Sequence, residues 1–108
     1  MKELTVHEHL HEKLKNPYFK ELYELEQQKF NIVRKIIDYR IRKKITQADL
    51  AKEAGVTQQH ISKIENGEFS SIATLEKVLL HIGMTVRMKV VALDAVVKKK
   101  IEKAMAAA

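Results

Sequence analysis

The sequence predicts a mainly α-helical fold, and three observations carry that expectation. Apolar residues recur at three- and four-residue spacing through most of the chain, which is the spacing of one face of an α-helix. Helix-start residues (Asn16, Thr46, Thr57 and Ser70 or Ser71) precede these stripes, and Gly55, Gly67 and Gly83 follow them. One stretch departs from the pattern. Met84, Val86, Met88 and Val90 alternate with Thr85, Arg87 and Lys89, a period of two that predicts a single C-terminal β-strand. The expected organisation is an acidic N-terminal arm with one helix over residues 1–28, a helical body over 29–83, and a tail over 84–108 holding the strand and a short amphipathic helix.

Each element has its own signal. Asn16-Pro17 starts a helix, because Asn caps the first free amides and Pro at the first position loses no bond. That helix should run to about Gln28, with Tyr18, Leu22 and Leu25 on one face. A second should run from Lys29 to Lys43. Its Phe30, Val33, Ile37 and Ile41 form a stripe that Ile32 and Ile36 widen, so burial on more than one side is expected. Thr46 with Asp49 forms a capping-box pattern before a short helix that turns Leu50 and Ala51 inward and stops at Gly55. Thr57 caps the next helix, with Ile61 and Ile64 inward and Asn66-Gly67 at its end. Leu75, Val78, Leu79 and Ile82 stripe a further helix that ends at Gly83. Asp94 caps a last helix on which Val97, Ile101 and Met105 align beside Lys98, Lys99 and Lys100. Leu4–Val6 is a weak second strand candidate.

Composition bounds the function. The 108 residues make one modest domain with extensions, at 45% hydrophobic and 31% charged, an ordinary balance for a folded chain. Twenty Lys and Arg against 14 acids give +6, and the isoelectric point of about 9.6 favours an anionic partner. The charge is uneven: four Lys meet six Glu over 1–28, whereas nine basic residues meet five acids over 29–68 and seven meet three over 69–108. The arm and the body therefore suit different partners. With no cysteine, disulfides, thiol catalysis and Cys-based metal centres are excluded. No apolar run is long enough for a bilayer, and the first fourteen residues lack the apolar stretch of a secretory leader, so a cytoplasmic location is expected.

Helix, three-residue break and helix within about twenty residues is helix-turn-helix spacing. The stretch from Thr46 through Gln47, Ala48, Asp49, Leu50 and Ala51 to Gly55, then Val56, Thr57, Gln58, Gln59, His60, Ile61, Ser62, Lys63, Ile64, Glu65, Asn66 and Gly67, resembles the phage-repressor and Cro type of helix-turn-helix, the Xre family. The resemblance extends over about residues 40–83. It implies a five-helix repressor-like bundle with Thr57–Glu65 as the recognition helix in the DNA major groove. It also implies a partly buried ion pair between Arg40 and Glu65. Leu14-Lys15-Asn16-Pro17-Tyr18-Phe19-Lys20-Glu21-Leu22-Tyr23, with Phe30-Asn31-Ile32-Val33, is similar to the arm of HigA-type antitoxins. That second resemblance implies a small ribonuclease toxin as protein partner and repression of the chain's own operon.

Within this frame Ile61 and Ile64 define the core side of the recognition helix, and Gln59, Ser62 and Lys63 project from the other, with Gln58 at the exposed start. Gln can bond adenine bidentately and Lys can reach guanine acceptors. Gln47, Thr57 and the Asn66-Gly67 turn stand where helix N-termini and loop amides bind phosphate. Glutamines on a helix are by themselves only a solvated face; the helix-turn-helix frame gives them a task. Two residues depart from the family. Lys44 stands where Gly is common, so this turn is expected to find another conformation, and Glu68 sets an acid beside the phosphate-binding turn.

Other chemistries are weaker. His7, His9 and His11 suggest a metal clamp, but Glu8 and Glu12 are interleaved and no other ligand cluster exists, so a solvated polar arm is the plainer reading. His60 and His81 have no Ser, Cys or Asp partner in sequence, and no carboxylate pair is indicated for acid–base work. Lys98–Lys100 read as a solvated helix face. No enzyme, metal or cofactor is expected. The sequence-based expectation is a sequence-specific repressor of double-stranded DNA, binding a two-fold symmetric operator as a homodimer and serving as the antitoxin of a toxin–antitoxin pair. A stand-alone Xre-type regulator is the alternative. The lone strand should pair with a second copy of itself or, next, with the edge of a toxin's sheet.

Overall fold

The computed structural model describes residues 5–107 as six α-helices: α1 (Val6–Lys13), α2 (Pro17–Lys43), α3 (Gln47–Ala54), α4 (Gln58–Glu65), α5 (Ile72–His81) and α6 (Ala95–Ala107). Gln28–Met88 form one compact unit, and the chain before and after it forms another.

The first helix had gone unread. Thr5 caps α1, accepting the Glu8 N–H while the Glu8 carboxylate accepts the Thr5 N–H, a reciprocal box at 3.1 and 3.0 Å. Thr5-x-x-Glu8 is the sequence signature of such a box. Val6 is therefore helical; Leu4, the other half of the weak strand candidate, lies outside the described residues. Asn16 caps α2 as its type suggests, its Oδ1 accepting the Tyr18 and Phe19 N–H groups at 2.9 and 3.2 Å. From there α2 runs unbroken for 27 residues. The expected division at Gln28/Lys29 does not occur, because neither Gly, Pro nor a capping residue stands there to stop the helix.

The core lies in the Gln28–Met88 unit. Ile36, Leu50, Ala51, Ile61, Ile64, Leu75, Val78 and Leu79 are buried together, and Ile32, Tyr39, Ile45, Val56, Phe69, Ile82, Met84 and Val86 pack partly against them. Four helices supply this unit's core instead of the five implied by the resemblance, since the two helices expected before Lys43 are one. Its contribution from α2 is also one-sided: Ile32, Ile36 and Tyr39 face the core, whereas Phe30 and Ile41 are exposed. The wider stripe promised more burial than a helix lying on one side of a small bundle can receive.

The helix ends show why this unit is so compact. Gly55, at φ 73°, closes α3 as the Val56 N–H reaches back to the Ala51 carbonyl at 2.9 Å. Gly67, at φ 82°, closes α4 while the Glu68 N–H bonds Lys63 at 2.8 Å. Both are left-handed caps that glycine adopts without strain. The end of α2 is made the same way without glycine. Lys44 takes φ 56°, its N–H donates to Ile41 at 3.1 Å and the Ile45 N–H donates to Arg40 at 3.1 Å. The expectation that this turn finds another conformation is corrected: the two carbonyls need those donors, and Lys44 bears the strain. A left-handed L-residue costs about 1–2 kcal/mol, and glycine's greater freedom when unfolded returns about 0.4–1 kcal/mol of that. Lys44→Gly should thus stabilise the chain by about 0.5–1 kcal/mol, read as a rise in the urea midpoint at unchanged slope.

The expected C-terminal strand is absent: among the described residues none is in a β-strand, and residues 84–94 carry no regular structure. Alternation makes a strand only where a second edge accepts its hydrogen bonds, and Leu4–Val6 offers none. The first part of the segment is not wasted, because Met84 and Val86 lie against the core while Met88, Val90 and Val91 stay exposed. Asp94 then caps α6, its Oδ1 accepting the Val96 and Val97 N–H groups at 2.7 and 3.1 Å.

Candidate nucleic-acid interface

The site is built on the start of α3 and the outer face of α4. Thr46 caps α3 through a box with Asp49, each backbone N–H donating to the other's side chain at 3.0 Å. The Thr46 backbone N–H, followed by its hydroxyl, holds the Asp49 carboxyl below its ordinary value, with a smaller contribution from Lys52. A carboxyl depressed in the fold adds stability above its unfolded pKa, and that stability is lost as pH falls through the folded value. Asp49→Ala should therefore be less stable than the parent near neutrality. The two melting curves should converge as pH drops below about 4, which thermal denaturation across an acid series reads directly.

Thr57 caps α4 in the same manner, but with His60 as the returning partner. The Thr57 hydroxyl accepts the His60 N–H at 3.1 Å, and the Thr57 N–H donates to His60 Nδ1 at 3.4 Å. His60 was read only as a residue on the helix flank; its place three after a threonine was the signal. Nδ1 can accept only while it carries no proton, so the start of α4 is held by a neutral imidazole.

Ile61 and Ile64 fix the rotation of α4 by sinking into the core. That rotation leaves Gln58, Gln59 and Lys63 exposed and Ser62 half-buried between them. None of these four side chains bonds another described residue. Their amide, hydroxyl and ammonium groups are available to a ligand. Gln47 opens α3, half-buried, and Thr57 and Asn66 stand exposed at the two ends of α4. The N-termini of two helices and five uncharged or cationic side chains can serve an extended polyanion. Glu68 is exposed just past the turn, an acid at the margin of this surface.

Behind α4, Arg40 reaches across from α2. Its Nε and one terminal nitrogen each donate to a Glu65 carboxylate oxygen at 2.9 Å, and the other donates to the Ile45 carbonyl at 3.3 Å. The Glu65 side chain is 7% exposed and that of Arg40 23%. Hydrogen bonding to Glu65 holds the Arg40 proton more firmly than usual, against the opposing effect of burial. The bidentate fork ties three things together: the end of α2, the turn into α3 and the last residue of α4. The contact to Ile45 had no signal in sequence, nor did two others. Lys77 Nζ donates to the Gly55 carbonyl at 3.2 Å, and His81 Nε2 lies 3.2 Å from Glu53, so α5 is strapped to α3 on its outer side.

His7, His9 and His11 are exposed on α1, and among the described residues no group of three or more His, Asp or Glu could hold a metal ion. No helix among those residues is long and apolar enough to cross a membrane. No curated protein and no solved structure matches the chain. Residues 36–87, which carry Arg40, Glu65 and every residue of the surface just described, match the helix-turn-helix family model, and that match supports a DNA-binding transcriptional regulator.

Proposed function

We propose that the chain is a sequence-specific repressor that lays α4 in the DNA major groove. Gln58, Gln59, Ser62 and Lys63 read bases, while Gln47, Thr57 and Asn66 hold phosphates. The observation that carries this is the outer face of α4: exposed Gln58, Gln59 and Lys63 on a helix whose other side is locked by two buried isoleucines. One such unit contacts too few base pairs for useful specificity, so two copies bind a two-fold symmetric operator with half-sites about one helical turn apart. The unpaired segment beyond Val86 is the natural place for the copies to meet, since antiparallel pairing across a two-fold axis satisfies its amides and covers Met88 and Val90.

The HigA-like pattern over residues 14–33 supports a second task, neutralising a small ribonuclease toxin. Co-purification with the product of a neighbouring gene of that kind tests this; a stand-alone regulator retains no such protein.

Base and phosphate contacts differ in how they fail. Gln59→Ala should cost about 1–3 kcal/mol on the operator and relax preference at particular base pairs. Gln47→Ala should weaken all sequences alike. Competition binding against a panel of single-base operator variants separates the two, and unchanged discrimination by Gln59→Ala removes Gln59 from base reading.

A further inference from the structure

Three helical stretches bury no side chain: α1, the part of α2 before Val33, and the whole of α6. An isolated helix of the 13 residues in α6 is marginal in water. It needs a partner for its apolar stripe. That stripe is Val97, Ile101 and Ala104 at four- and three-residue spacing, with Val97 38% exposed. A second open stripe of the same spacing runs along α2: Tyr18, Leu22 and Leu25, with Leu22 46% and Leu25 54% exposed. With the chain folded on itself, both stripes stay open.

Their charges are opposite. Residues 17–28 carry Glu21, Glu24 and Glu26 against Lys20 alone, whereas α6 carries Lys98, Lys99, Lys100 and Lys103 against Glu102. On a helical wheel Glu21 borders the α2 stripe, and Lys98 and Lys100 border that of α6. Pairing α2 with α2 would set acid against acid, and pairing α6 with α6 would set lysines against lysines. Only the unlike pairing satisfies both the apolar stripe and the charge. We propose that α6 of a second copy of this chain docks on the Tyr18–Leu22–Leu25 face, and the reverse. Two equal contacts then close a two-fold dimer. The inference rests on the dimer proposed above and not on DNA contact. Segments meeting at an axis beyond Val86 would carry each α6 toward the other copy.

Two charge-reversed full-length chains test it, Glu21→Lys/Glu24→Lys and Lys98→Glu/Lys100→Glu. All four positions are exposed and lie outside the surface assigned to DNA. Each variant alone should self-associate about tenfold or more weakly than the parent in sedimentation equilibrium, since like charges now meet in both contacts. An equimolar mixture should regain nearly the parental association, because arm and tail are again opposite across the mixed dimer. Thermal unfolding of each variant checks that the Gln28–Met88 unit is intact. A dimeric parent with unaffected variants overturns the arm-to-tail contact and leaves the dimer reading standing, with another protein as the occupant of the arm. Weakened variants whose mixture does not recover, while a single chain bearing all four changes does, place α6 on its own chain and also overturn the inference. A parent that is monomeric throughout removes both the dimer and this contact.

Discussion

Ile61→Ala should lower the unfolding free energy by about 3–4 kcal/mol, within the range for deleting a buried branched side chain. Small domains have about 5–15 kcal/mol in all, so this is a large share. The size follows from position. Ile61 is fully buried at the middle of α4 and touches the common core, and an eight-residue helix has no stability apart from such packing. The loss therefore falls on the surface that faces DNA as well, because Gln59, Ser62 and Lys63 are aimed by the same helix. Ile41→Ala is the matched control. At 63% exposure its cost should stay within about 0.5 kcal/mol. Urea unfolding of the two variants decides the matter. Equal costs would mean that α2 and α4 are turned differently from the geometry described.

Arg40→Ala should cost about 3 kcal/mol, at the lower edge of the range for breaking a buried pair, because Arg40 itself is partly open to water. The two halves of the pair should not be equal. Removing Arg40 strands a carboxylate that is 7% exposed and also frees the Ile45 carbonyl. Removing Glu65 leaves a guanidinium that is more exposed and still has Ile45 to bond, so Glu65→Ala should cost less, about 1–2 kcal/mol. A double-mutant cycle by denaturant titration should give a coupling above about 1 kcal/mol. Additive single effects would reduce the fork to an ordinary surface pair. Since the fork joins α2 to the last residue of α4, Arg40→Ala should also weaken operator binding without altering which bases are preferred.

Local chemistry made much of this protein legible in sequence. Thr46 and Asp49, Asn16 and Pro17, Asp94, Gly55 and Gly67 act within one helical turn of where they stand, and a short-range signal survives in any compact fold. The inward positions of Leu50, Ala51, Ile61 and Ile64 were equally plain, because an eight-residue helix has one face to bury. The polar outer face of α4 followed from the same periodicity. Thr5 with Glu8 and Thr57 with His60 were also written in the chain, and only the second departs from the usual acid at that position.

Tertiary structure decided the rest. Periodicity could not say which of two apolar stripes on α2 meets the core, since Phe30 and Ile41 are as hydrophobic as Ile32 and Ile36; the single side from which the bundle approaches chose the latter. Continuity of α2 and the left-handed Lys44 are likewise matters of what the neighbouring turn requires. The contacts of Arg40 with Ile45, Lys77 with Gly55 and His81 with Glu53 join residues whose separation in sequence carries no pattern. The alternating segment after Gly83 shows the same limit most clearly. Alternation describes two faces of an extended chain, but a strand exists only when another edge takes up its hydrogen bonds, and no edge within the described residues does so.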